Sequence, residues 1–215
     1  MKVVAINGSP RKTKNTATLL EKALEGAALA GADTTLIHLY DLNYKGCMSC
    51  LACKRKASKW VGHCAMRDDL TEVLEQIMQS DVLLLGSPIY LGDVTGEMRS
   101  FLERLIFMNL SYEEDIRSYF MKKIHTGFIY TMNLNKDMVD RFGYPYIFNT
   151  NQRLLSEILK GTSEILVADD TYQFDDYTKY AASKFDEKHK AQVKAEQFPA
   201  DCNRAFELGV RLTSM

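Results

Sequence analysis

The chain has 215 residues and a mass of 24.5 kDa, room for one large domain and too little for two ordinary ones. An apolar fraction of 46% beside 26% charged residues excludes global disorder, and a net charge of −1 gives no nucleic-acid signature. No apolar run approaches the roughly 18 residues of a membrane span. Met1 leads straight into a strand-like segment without a charged n-region or cleavage site, so a cytoplasmic protein without a membrane partner is expected.

Residues 2–7 (KVVAIN) form a short, nearly continuous apolar run, as in a parallel strand buried on both faces. A polar loop, GSPRKTKNT, runs from Gly8 to Thr16. A helix follows from about Thr16 to Ala30, with Leu20, Ala23, Leu24 and Ala27 on its apolar side and Gly31 at the C-terminal cap. Residues 34–40 read as a second strand. A long irregular segment then carries four of the five cysteines. Asp69-Leu-Thr-Glu72 resembles a capping box that opens a helix to about Gln79. Residues 81–87 are a third buried strand and Thr95–Phe107 a helix. Residues 124–131 are a fourth strand, about 150–160 a helix, and 163–170 a fifth strand.

Repeated βα units with buried strands predict an α/β fold with a doubly wound parallel sheet. At about 30 residues per βα step, a five-stranded core needs about 150 residues. Residues 171–215, with seven basic and seven acidic groups and a helical pattern from about Asp186, are then a covering helix or an oligomer contact.

The loop after the first strand lies where an open α/β sheet presents a helix N-terminus to an anion. Gly8, Ser9, Thr13, Asn15 and Thr16 supply small residues and hydrogen-bonding groups, and Arg11, Lys12 and Lys14 supply positive charge. Neither G-x-x-x-x-G-K-[ST] nor G-x-G-x-x-G is present, which disfavours a Walker loop and a dinucleotide fingerprint. The third strand ends in Gly86-Ser-Pro-Ile-Tyr90. Ser87, Pro88, Ile89 and Tyr90 should therefore meet the phosphate loop at the crevice where the first and third strands splay, with Tyr90 flanking a flat ring. Thr131-Met132-Asn133, at the end of the fourth strand, should reach the same edge. Three such loops converging on one crevice point to a planar, phosphorylated ligand.

Gly8-Ser-Pro-Arg-x3-Asn15-Thr16 paired with Gly86-Ser-Pro-Ile-Tyr90 resembles the NAD(P)H-dependent FMN reductase branch of the flavodoxin-like superfamily. The resemblance spans roughly residues 1–170. It implies a flavodoxin-like, doubly wound five-stranded parallel sheet in the order 2-1-3-4-5, with 1–170 as the FMN-binding domain and 171–215 as its helical extension. It also implies FMN, its phosphate held by Ser9, Arg11, Asn15 and Thr16 and its ring near Pro88, Ile89, Tyr90 and Thr131. The flavin would supply the redox chemistry and the protein its position and electrostatics. No dedicated acid or base is then required, and Tyr90 and Asn133 are the candidates for ring-adjacent roles. NAD(P)H or a ferredoxin-type donor would reduce the flavin, and a homodimer or homotetramer would complete the crevice.

Cys47-x2-Cys50-x2-Cys53 followed by Cys64 suits a metal or redox site better than dispersed disulfides. An Fe–S cluster, zinc, and free or redox-active thiols all remain open for this set. The arrangement resembles the iron–sulfur flavoproteins, a subgroup of the same family, which implies a [4Fe–4S] cluster on Cys47, Cys50, Cys53 and Cys64. The last gap, ten residues, is longer than usual for that subgroup. Residues 42–67 hold Lys45, Lys54, Arg55, Lys56, Lys59 and Arg67 and no acid, a charge expected to lower thiol pKa values and offset a cluster's negative charge. Cys202 reads as packing. The rival from another class is a flavodoxin-fold binding module with a structural zinc site in the cysteine loop.

Overall fold

The computed structural model describes residues 1–215. The strands are β1 (Lys2–Asn7), β2 (Asp33–His38), β3 (Val82–Tyr90), β4 (Asp93–Val94), β5 (Ile124–Thr131) and β6 (Lys160–Ala168). The helices are α1 (Asn15–Leu29), α2 (Leu70–Met78), α3 (Gly96–Asn109), α4 (Lys136–Arg141), α5 (Tyr144–Leu159) and α6 (Glu187–Thr213). Five strands form a parallel sheet in the order β2-β1-β3-β5-β6, and β4 folds back antiparallel on the end of β3. The sheet therefore has six strands where the sequence predicts five. A two-residue strand such as β4 is too short to show a periodicity, and the six-residue α4, capped by Asn135, escaped for the same reason.

Alternate residues of each central strand enter opposite cores, because successive side chains of a strand point to opposite faces. Val3, Ala5, Val82 and Leu84 pack with Leu19, Leu20 and Ala23 of α1 and with Ala205, Leu208 and Leu212 of α6. Val4, Ile6, Leu83 and Leu85 pack with Leu70, Val73 and Ile77 of α2, with Phe101 and Leu105 of α3, and with Phe148 and Leu155 of α5. This two-sided burial explains the uninterrupted apolar runs. No helix is long and apolar enough to cross a membrane.

The tail is a structural layer of the core. A Cβ on Gly209 would stand 1.8 Å from the Ala23 carbonyl oxygen, and one on Gly26 would stand 2.0 Å from that of Phe206. Paired glycines thus let the backbones of α1 and α6 nearly touch, and Ala205 and Leu208 close the seam. Cys202 lies half-buried against the same core, where burial pushes its thiol pKa up.

The start of α2 differs from its expected capping box. Asp69 makes no cap; its carboxylate accepts from the Asn43 amide at 2.7 Å. Asp68 takes the role instead: its Oδ1 accepts from the Leu70 amide at 3.2 Å, and the Thr71 hydroxyl accepts from the Asp68 amide at 3.1 Å. Asp69 is drawn away by Asn43 at the start of the cysteine segment, a partner 26 positions back.

Candidate functional site

The parallel register sets the site. Asn7 pairs with Gly86 across β1 and β3, and Pro88 pairs with Thr131 across β3 and β5, so the three strand ends rise together at one edge. Beyond them opens a cleft of about 200 Å³. Nine of the ten residues expected to hold a ligand line it: Ser9, Arg11, Asn15, Thr16, Pro88, Ile89, Tyr90, Thr131 and Asn133.

Ser87 does not. It is fully buried, its hydroxyl donating to the Pro88 carbonyl at 2.9 Å and accepting from the Thr95 amide at 3.1 Å. β3 continues through Ser87 to Tyr90, and the two bonds hold the Ser87 side chain inside, against the start of α3. Asp93, too, serves the scaffold. It receives the Arg99 guanidinium at 2.5 and 3.2 Å, and Arg99 reaches Asn151, which bonds the Tyr130 hydroxyl. That chain fixes the β3–β4 hairpin, and burial pushes the Tyr130 phenol well above its ordinary range.

The loop between β1 and α1 is tied from both sides. Its start is clamped by the Gly8 amide on the Gly86 carbonyl at 2.8 Å and by the Thr95 hydroxyl on the Gly8 carbonyl at 2.7 Å. The Ser9 hydroxyl accepts from the Arg11 amide at 3.1 Å, and the Thr16 and Thr131 hydroxyls share a bond of 2.7 Å. Arg11 donates to the Gln173 carbonyl at 2.7 Å and Asn15 to that of Tyr172 at 2.9 Å. Lys12 pairs with Asp41 and does not line the cleft; Lys14 lines it and pairs with Asp175. No side chain caps α1, and its first turn holds no acid. An uncapped helix N-terminus beside Arg11 and Lys14, with three hydroxyls at hand, is chemically matched to a phosphate.

Met132 joins its neighbours Thr131 and Asn133 in the lining, while Leu134, Tyr144, Thr171 and Gln173 line the cleft without any sequence signal. Thr171 and Gln173 follow β6 and return across the loop between β1 and α1, so the cleft extends past the expected boundary at residue 170. Asn133 donates to Gln173 at 2.8 Å and keeps its Oδ1 buried without a partner, an acceptor left for a ligand. Behind this wall Lys190 of α6 reaches the Asn133 carbonyl and the Asp170 carboxylate, which His189 also contacts at 2.6 Å. Burial alone would raise the Asp170 pKa, but the bonds from Lys190 and His189 hold it below the usual carboxylate range. Only the helical period near Asp186 hinted at α6, and nothing in it pointed to the cleft.

Cys47, Cys50, Cys53 and Cys64 surround one small cavity of about 20 Å³, together with Met48, Leu51, Ala65, Met66, Arg104, Phe107 and Met108. All four are free thiols, Cys50 exposed and Cys53 buried. The thiols share a cavity without being gathered into a ready-made ligand set, for no three His, Cys, Asp or Glu side chains are positioned to hold one ion. The expected lowering of thiol pKa is reversed at Cys53. Burial pushes it up, and Lys54 only partly offsets this. Lys54 is engaged elsewhere, on the Phe107 and Met108 carbonyls at the C-terminal end of α3, where a cation complements the helix dipole. Lys59 and Arg67 sit over the Trp60 ring at 5.0 and 4.7 Å.

The sequence profile of the NADPH-dependent FMN reductase family matches residues 1–124, more than half of the chain. The chain belongs to that family. Among its relatives, an iron-sulfur flavoprotein of Archaeoglobus fulgidus is 39% identical over 104 residues, 48% of each chain. Another, from Methanocaldococcus jannaschii, is 36% identical over 104 residues, 48% of this chain and 51% of the relative. The chain thus spans about half the length of the curated relatives it matches. An NAD(P)H:quinone oxidoreductase from Methanothermobacter marburgensis shares the fold with a TM-score of 0.69 at 14% identity, covering 99% of this chain and 96% of its own. An FMN-dependent NADH-azoreductase from Bacillus anthracis, solved in complex with FMN, follows at 0.66 and 13%, covering 97% and 99%. These members of the flavodoxin-like class share its parallel α/β layering.

Proposed function

We propose that the protein is an FMN-dependent oxidoreductase, reduced by NAD(P)H or by a donor protein, and that its cysteine segment holds an iron–sulfur cluster. The observation that carries the flavin reading is the cleft at the uncapped N-terminus of α1, where Ser9, Arg11, Asn15 and Thr16 stand opposite Pro88, Ile89 and Tyr90. When bound, FMN supplies hydride and single-electron chemistry, and a cluster on four thiolates supplies one-electron transfer.

The chain's own residues bind and orient. Ser9, Asn15, Thr16 and the first amides of α1 donate to the phosphate, and Arg11 and Lys14 balance its charge. Pro88 and Ile89, rigid at the strand end, form one wall for the ring. Tyr90 is 47% exposed, which leaves room for a second reactant to approach. Thr131 and Asn133 offer hydrogen bonds at the floor. Cys47, Cys50, Cys53 and Cys64 would hold the cluster; four thiols and a buried guanidinium around one apolar cavity form a donor set suited to an anionic iron–sulfide core.

Anaerobically prepared protein, examined by visible spectrum and iron assay, tests both parts. FMN at one per chain, bleached by NADPH, supports the flavin reading, and protein that retains no FMN overturns it. A broad brown absorbance with iron and labile sulfide supports the cluster. Yellow protein without iron after anaerobic reconstitution overturns that part alone.

A further inference from the structure

Arg104 is the largest of the fully buried side chains, only 1% exposed, and it belongs to α3 instead of the basic cysteine segment. Its Nη1 joins the two ends of that segment, donating to the Lys45 carbonyl at 3.3 Å and to the Asp68 carboxylate. The other two nitrogens, Nε and Nη2, are buried without any hydrogen-bond partner. Leaving charged donors unsatisfied in an apolar interior is costly. Arg104 also lines the cavity shared by the four cysteines. Within the described surroundings, the cavity is where an acceptor for these donors would sit.

We propose that Arg104 is a positioning residue for the cysteine-held cluster, its Nε and Nη2 donating hydrogen bonds to cluster or thiolate sulfur while Nη1 clips residues 45 and 68 together. The inference rests on the cluster reading above. Hydrogen bonds and positive charge at sulfur stabilise the more negative, reduced form, so Arg104 raises the reduction potential. Lys would keep the charge near Asp68 and lose the two donors; Gln would lose the charge as well.

The test is reductive titration, with iron and sulfide assays, of anaerobically reconstituted wild-type protein and of Arg104→Lys, Arg104→Gln and Asp68→Asn. The expected midpoints descend from wild type to Arg104→Lys to Arg104→Gln, with FMN content unchanged, while Asp68→Asn, which keeps the guanidinium, is not lowered. Wild-type midpoints in both Arg104 variants overturn the inference and leave the cluster reading intact. A wild-type chain that takes up no iron under these conditions overturns both. A second measurement does not depend on how the variants fold: wild-type protein labelled with 15N-arginine should show 15N hyperfine coupling to the reduced, paramagnetic cluster. Absence of that coupling overturns the role of Arg104.

Discussion

The cleft at the sheet edge and the cysteine cavity differ in how they are held. The cleft's walls are strand ends in fixed register, cross-tied by Gly8–Gly86, Thr95–Gly8 and Thr16–Thr131 bonds, with its outer rim strapped by Arg11 and Asn15 to residues 172–173. The cysteine segment has only short 3-10 turns, and Ser49, Leu51 and Ala57 take positive φ values of 54°, 58° and 59°. Its main anchors to the body come from α3, through Arg104 and through Lys54 on the last carbonyls of that helix. A site built on strand ends is preorganised by the fold. A site on an irregular loop takes its final shape from what it binds, as metal sites commonly do.

Four changes break or sharpen this contrast. The largest effect is expected from Cys50→Ala: iron is lost while FMN occupancy, measured by absorbance, stays at the wild-type level. A folded variant with full iron would remove Cys50 from the ligand set, and joint loss of flavin would show that the two regions are one unit.

Next is Asp170→Asn, which leaves Lys190 buried without its counter-ion behind the cleft wall. Denaturant unfolding should show a loss of about 3 kcal/mol. Because the Asp170 carboxyl is held below its ordinary value of 3.8, its contribution is present above that pH and disappears as the pH falls through the folded-state value. A Asp170→Asn protein that matches wild type above pH 5 would refute the strut.

Replacing Arg11 and Asn15 together by Ala should weaken FMN roughly 100-fold by equilibrium titration and leave iron content unchanged. Unaltered affinity would remove both residues from the phosphate site.

The smallest effect falls outside both regions. Burial raises the Asp201 carboxyl to about 6, with Asp169 adding to the shift and Arg204 opposing it. An acid raised in the folded state costs stability as it ionises, so wild-type stability should fall as the pH rises from about 4 to about 6 and then level off. Asp201→Asn should flatten that limb and add about 2 kcal/mol at pH 7, with flavin and iron untouched. A pH profile that retains the limb in this variant would reject Asp201 as its source.

Much of the cleft was legible because its chemistry is local in sequence. Gly8 to Thr16 is one βα turn and Gly86 to Tyr90 one strand end, so residue type and position along a βα unit placed both at the same edge. Ser87 was expected at the cleft and lies buried behind it, its hydroxyl taken by the Pro88 carbonyl and by the amide of Thr95 on the returning hairpin. Gln173, Thr171 and Tyr144 come from segments that no motif marks. Arg104 left one sign that could have been read, an arginine on the same helical stripe as Phe101, Leu105 and Met108, where an apolar residue is expected.

By itself, the sequence determined the parallel α/β layering, the polar turn after β1 and the grouping of four cysteines, because apolar period, turn chemistry and short spacing act over a few residues. Tertiary structure decided which cation meets the thiols, which acid caps α2, and that the C-terminal helix braces the cleft. Those outcomes depend on burial and on pairing between groups more than 25 positions apart, such as Asn43 with Asp69, Asp68 with Arg104 or Asn133 with Lys190. The six basic residues of the cysteine segment suggested an electrostatic environment that the fold largely reassigns, bringing one buried arginine from another helix to the cavity instead.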